Sequence, residues 1–238
     1  MDSLDDFMQM RPPTAARPLL GLTVLVVEDS RFASEAMRLL CLRSGARIRR
    51  ADSLFHAQRH LAVYRPSVAI VDLGLPDGSG VDLIRDLTQG ASRVEVVIGT
   101  SGDPDGERLA IKAGADGFMP KPVSSIGYFQ SKVLEHLPPD RQPKGLRSLN
   151  DEIVIPDEVA LRDDLEAAAV VLEDANDQRA LRYLTQFLGG VARSVADTPL
   201  EREMDTLAKL QTSGEAVQSQ VARVAAMVQD RIARTSPI

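Results

Sequence analysis

VAIVDLGLPDGSG, residues 68–80, decides how the chain is read. Four apolar residues, Val68 to Val71, end on the carboxylate of Asp72, and Gly74, Pro76, Gly78 and Gly80 follow before a helical segment opens at Val81. A short apolar run closed by Gly and Pro reads as a buried strand running into a tight loop. The same unit repeats on both sides. Upstream, Val24 to Val27 precede a helix-period segment from Arg31 to Arg43, a Ser-Gly stop and Ala46 to Arg50, and a helical stretch from Leu54 to Tyr64 leads back to Pro66. Downstream, the helix from Val81 to Leu87 leads to Val94 and Val96 to Ile98, then a helix over 107–113, a strand at 117–119 and a helix over 125–137. Near-continuous apolar strands alternating with short helices indicate a parallel sheet covered on both faces. Five cycles make an α/β fold of flavodoxin-like, (βα)5 doubly wound type over residues 21–138, in which chemistry belongs beyond the carboxyl ends of the strands.

The flanks read differently. Residues 1–20, with Pro12, Pro13 and Pro18, are expected to be a flexible tail. Residues 139–156, from PDRQPKG to the extended-looking EIVIP, read as a linker, and 157–238 as helix only. Apolar residues at helical spacing mark one helix to Glu173 and another from Gln178 to Ala196. Thr198, Pro199 and Glu201 form a capping box for a third. Val217, Val221, Val224 and Val228 give a heptad seam too short for a coiled coil, so a small bundle is expected.

Composition sets the outer limits. The chain has 238 residues, 44% hydrophobic and 26% charged, as in globular proteins rather than disordered or fibrous ones. The first 150 residues carry 19 Lys and Arg against 18 Asp and Glu, and the remainder 9 against 16. That acidic C-terminal part repels phosphates and argues against nucleic acid as a partner. The single cysteine, Cys41, cannot form an internal disulfide and reads as a buried thiol in a reducing compartment. No apolar run approaches the roughly 18 residues that cross a bilayer. The start MDSLDDFMQM has three aspartates where a signal peptide carries positive charge, so a cytoplasmic protein without a membrane partner is expected.

The strand ends carry the chemistry. Glu28 and Asp29 follow the first strand and Asp72 ends the third, and in a 2-1-3-4-5 order these strands are neighbours. Three clustered carboxylates call for a cation, and an oxygen-only set suits Mg²⁺. Thr100 and Ser101 end the fourth strand, and the fifth ends in Met119-Pro120-Lys121-Pro122, which brings an ammonium group and an X-Pro bond able to be cis. These parts suit phosphoryl transfer to a carboxylate. Asp72 is the expected nucleophile, Lys121 and Thr100 bind phosphoryl oxygens, and a backbone carbonyl in the loop after Asp72 completes the metal shell. His56, His60 and His136 are too scattered for a metal site, and the glycine loop lacks both nucleotide-binding spacings.

Through VVEDS at 26–30, VDLGLPDGSG at 71–80, GTSG at 99–102 and GADGFMPKP at 114–122, the chain resembles two-component response regulators of the chemotaxis receiver type over about residues 21–138. The resemblance implies that Asp72 is the phosphoacceptor, that Glu28, Asp29, Asp72 and the Gly74 carbonyl bind Mg²⁺, that Lys121 contacts the phosphoryl group, and that Thr100 and Phe118 form the switch pair. It implies a histidine kinase or phosphotransfer protein as donor. The two positions tied in that family to dephosphorylation rate are Gly74 and Gly102 here, neither with a side chain to position or obstruct water.

The helical part is expected to be a protein-interaction or dimerisation output controlled by Asp72, not a separate catalytic domain. A divergent DNA-binding output of a transcription regulator is the alternative, opposed by the acidic balance. The segment after 150 has neither cysteine nor histidine, which removes cysteine-based catalysis and a phosphohistidine relay. A hydrolytic role for a glutamine such as Gln178 or Gln186 stays open without further support.

Overall fold

The computed structural model describes residues 12–90, 93–145, 150–173 and 177–235. Five parallel strands, β1 (Thr23–Val27), β2 (Arg47–Ala51), β3 (Val68–Asp72), β4 (Val96–Ser101) and β5 (Gly117–Pro120), form one sheet in the order β2-β1-β3-β4-β5. Helices α1 (Arg31–Ser44), α2 (Leu54–Val63), α3 (Gly80–Gln89), α4 (Gly106–Ala113) and α5 (Ile126–Glu135) connect and cover it. β3 is buried at every residue, as a central strand of a two-faced sheet must be. Alternation along the strands divides the core. Val24, Val26, Ile70, Ile98 and Met119 pack with Leu40, Phe129 and Val133 on one face, while Leu25, Val27, Val71 and Val97 pack with Ile84, Leu87 and Ala110 on the other. Cys41 lies in the first of these layers, where burial pushes its thiol up to about 12. The switch from outward to reversed connections falls between β1 and β3, so both strands end at one crevice. Between β3 and α3 the chain makes a minimal hairpin, Gly74–Leu75 against Gly78–Ser79.

Four further helices, α6 (Glu158–Glu173), α7 (Gln178–Ser194), α8 (Thr198–Ser213) and α9 (Gln218–Arg234), close around Leu165, Leu172, Leu184, Leu188, Leu200, Leu207, Val224 and Val228. The valines at 221, 224 and 228 thus serve a bundle core. α6 packs along α1, and α7 reaches α1 and the hairpin after β3. Among the described residues, no helix is long and apolar enough to cross a membrane.

Three expectations are corrected. The flexible tail does not extend to residue 20: Thr14 and Arg17 close a turn, Leu19 is fully buried, and its N–H bonds to the Ser44 carbonyl at 3.0 Å. The part of that tail over residues 1–11 lies outside the described residues. The linker over 139–156 is not free either. Pro139–Arg141 form a turn of 3-10 helix, Ile153 bridges Ser125, and the Val154 side chain joins the core beneath α5. Apolar residues in an extended segment are buried wherever a helix edge offers them contact. Finally, α8 is capped by Asp197 rather than Thr198. The Asp197 carboxylate accepts from Leu200 N–H at 3.1 Å and also binds Arg231 of α9, two satisfactions a threonine hydroxyl could not supply together.

Candidate functional site

At the carboxyl ends of β1 and β3, Glu28, Asp29 and Asp72 offer oxygens within 4.8 Å of one another. Glu28 and Asp72 are only 3% and 5% exposed. Lys121, just past β5 and joined to Pro122 by a cis peptide, bridges them: its Nζ lies 2.7 Å from Glu28 and 2.8 Å from Asp72 Oδ2. The second Asp72 oxygen, Oδ1, accepts the Gly74 N–H at 3.3 Å. Burial raises the Glu28 carboxyl to about 8, with Lys121 opposing and the neighbouring Asp72 and Asp29 adding to the rise. Burial likewise lifts Asp29 to about 6, against the hydrogen bond from Tyr183. For Lys121, burial opposes the charge, but Glu28 and Asp72 outweigh it and hold the ammonium above its usual range. Three oxygen donors whose charge is so incompletely matched fit a hard divalent cation.

Thr100 stands at the end of β4, level with Asp72 in the sheet register, with its hydroxyl donating to the Met119 carbonyl at 2.8 Å. Phe118 of β5 is buried with its ring against α4, in contact with Gly106. The structure therefore brings Glu28, Asp29, Asp72 and Lys121 into one contact set, with Gly74 at its edge. Thr100 and Phe118 lie a strand away and are not in that set.

Sequence reasoning missed what lies on top. α7 crosses the acidic crevice, and the Tyr183 hydroxyl donates to Asp29. Burial first, and the neighbouring carboxylate of Asp29 second, raise the Tyr183 phenol above its ordinary range. The carboxamide of Gln186 fills the space above Gly74 where a Cβ would stand, and the Arg193 guanidinium lies 2.8 Å from the corresponding point at Gly102. The two bare glycine positions are thus covered by side chains from elsewhere in the chain. α6 contributes Asp164, 2% exposed, which accepts from Ser30 Oγ at 2.7 Å, Arg31 N–H at 2.7 Å and Phe32 N–H at 3.1 Å at the start of α1. Its carboxyl is raised by burial, partly offset by these donors. One signal was available: residues 183, 186, 190 and 193 recur at helical spacing on the side of α7 opposite its leucine face.

Comparison with known proteins meets this geometry at its centre. Residues 24–128 match the response regulator receiver domain family. This chain carries a response regulator receiver domain. The receiver domain is 34% identical over 110 residues to the KDP operon transcriptional regulatory protein KdpE of Escherichia coli, covering 46% of this chain and 48% of that protein. It is 31% identical over 102 residues to the virulence transcriptional regulatory protein PhoP of Salmonella typhimurium, covering 42% and 46%. The chain thus spans about half the length of the curated relatives it matches. Among solved structures, the receiver domain is similar to that of a signal transduction histidine kinase from Syntrophus aciditrophicus, with 25% identity, 53% of this chain and 98% of that one, and a TM-score of 0.46. A response regulator from Chloroflexus aurantiacus gives 24%, 48%, 98% and 0.44. The named relatives are transcriptional regulators, so the expectation against nucleic acid as a partner draws no support from them.

Proposed function

We propose that this chain is a phosphorylation-switched signalling protein in which the receiver domain accepts a phosphoryl group on Asp72 and the four-helix module is the output that senses it by direct contact. The observation that carries this reading is Lys121 spanning Glu28 and Asp72 beside Asp29. One Asp72 oxygen attacks phosphorus, the bond from phosphorus to the donor histidine nitrogen breaks, and that nitrogen regains a proton. A histidine kinase or a phosphotransfer protein is the partner this requires. Glu28, Asp29, Asp72 and the Gly74 carbonyl would hold Mg²⁺, which when bound supplies positive charge at the phosphoryl oxygens.

Once Asp72 carries the phosphoryl group as an acyl phosphate, Lys121 keeps its Glu28 contact and its freed N–H bonds turn to a phosphoryl oxygen. Thr100 can exchange the Met119 carbonyl for another oxygen, and Phe118 follows into the space the hydroxyl leaves. Because Tyr183, Gln186 and Arg193 touch the same crevice, a change in charge there acts directly on α7. A downstream protein or a second copy of the chain then reads the altered module. A DNA-binding transcription regulator is the second reading, favoured by the named roles of the relatives and opposed by the module's excess of carboxylates.

The test is incubation of the full chain with a small acyl phosphate and Mg²⁺. Acid-labile phosphate should appear on the wild type and not on Asp72→Asn, and equal labelling of both refutes the assignment. Light scattering with and without beryllofluoride then separates self-association from binding of another partner, and salt-dependent retention on DNA marks the second reading.

A further inference from the structure

We propose that α7 is a built-in dephosphorylation arm: Gln186 orients the water that hydrolyses the Asp72 acyl phosphate, and the Arg193 guanidinium receives the phosphoryl oxygens. This rests on Asp72 being the phosphoacceptor. Gln186 and Arg193 are two helical turns apart on one face of α7 and reach the rim of the same crevice from both sides, over Gly74 and over Gly102. Both line one small cavity with Glu28, Asp29, Asp72 and Lys121. That cavity holds about 30 Å³, room for about two water molecules, so a phosphoryl group fills it and an attacking water must sit at its edge.

Gln186 stands at that edge. Its residue is solvent-exposed while its carboxamide packs over Gly74, two residues beyond Asp72, so it meets bulk water on one side and the acceptor loop on the other. A carboxamide offers both an acceptor for a water O–H and a donor for an oxygen, without a charge that would repel phosphate. Arg193 shows the complementary feature. Its Nε is buried with no hydrogen-bond partner, and its nearest carboxylate, Glu201, lies 3.9 Å from the far Nη1. A buried N–H donor without an acceptor, as at this Nε, costs free energy unless one meets it, and the transferring phosphoryl carries its charge on three outward oxygens. In the step itself, water oxygen bonds to phosphorus as the bond from phosphorus to the Asp72 oxygen breaks. Asp72 leaves as the carboxylate, and both water protons remain on the released phosphate. Gln186 takes no proton and acts by position.

The test follows loss of acid-labile phosphate from the full chain after labelling with acetyl phosphate and Mg²⁺ and removal of the donor. Gln186→Met keeps the length and unbranched shape and removes the carboxamide, and decay is expected to slow by about 10- to 100-fold, the range for a mispositioned reactant. Asp164→Ala, which loosens the module without touching Gln186, should slow it as well. A helix that merely shields the acyl phosphate gives the opposite sign, because loosening it admits water and speeds decay. Unchanged or faster decay in Gln186→Met overturns the proposal. If the wild type takes up no label, or Asp72→Asn takes up as much, it is the phosphoacceptor reading that has failed.

Discussion

Asp164→Ala gives the sharpest test of how the two halves are joined. The carboxylate of this α6 residue accepts three hydrogen bonds at the start of α1, at 2.7, 2.7 and 3.1 Å, and is almost wholly buried. Hydrogen bonds to a charged group contribute about 1.5–3 kcal/mol each, so three set an upper bound near 9 kcal/mol. Two effects reduce it. The raised Asp164 carboxyl shows that burial already costs part of the gain, and the Arg31 side chain lies in solvent, so water can reach its N–H after truncation. A loss of about 3 kcal/mol remains, roughly a 100-fold shift toward the undocked module at 1.4 kcal/mol per decade. α1 itself should survive, because Ser30 still caps it through the Ala33 N–H at 3.0 Å. Amide hydrogen exchange on the intact chain reads this directly. Arg31, Phe32 and the amides of α7 should lose protection while β1 and β3 keep theirs. Unchanged protection, or a loss below about 0.5 kcal/mol, refutes the reasoning.

Other outcomes follow from the same contacts. Because Glu28 and Asp29 hold protons up to about 8 and about 6, Mg²⁺ must displace them; its affinity should rise between pH 6 and 8 with proton release seen by calorimetry, and a flat profile refutes the metal ligand set. Asp197→Ala removes the α8 cap and the partly buried Arg231 pair together and should cost the module about 2 kcal/mol in urea. The hydrogen bond from Arg231, ahead of other causes, holds the Asp197 carboxyl below its ordinary value, so this contribution is present above about pH 4 and fades as pH falls through the folded value; stability differences that persist in acid contradict it. Leu188→Ala, at a fully buried position among the four helices, should lower stability by about 2–5 kcal/mol, measured by denaturant unfolding of the full chain.

The α/β half was legible because its signals are local. Strand runs such as Val68 to Val71 and the residues ending them lie within a few positions, and topology alone carries Glu28, Asp29, Asp72 and Lys121 to one rim. The helices of the second half were equally visible, since Leu181, Leu184 and Leu188 repeat at helical spacing. What sequence could not show was where α7 goes. Tyr183 and Asp29 are 154 residues apart, and no periodicity links a polar stripe on one helix to a crevice in another part of the chain. Asp164 sits in the run RDDLE, which reads as solvated charge until a helix N-terminus is set against it. The choice of Asp197 over Thr198 turned on a partner in α9, and Leu19 and Val154 looked like tail and linker because the short apolar runs that hold them, LLGL at 19–22 and IVI at 153–155, are too brief to carry a period.

The two bare positions at the crevice have a consequence for inheritance. A side chain added at Gly74 or Gly102 would stand where Gln186 or Arg193 now packs, so these four residues form two interlocked pairs. A larger residue at 74 or 102 would push the flexible end of Gln186 or Arg193 off the rim, so the pairing rather than the seat of the helix is what such a change would undo. The rim of this receiver is therefore assembled from two distant stretches of one gene, and a fragment ending near residue 138 would carry two notches in place of a finished surface. Its chemistry would be that of a different molecule.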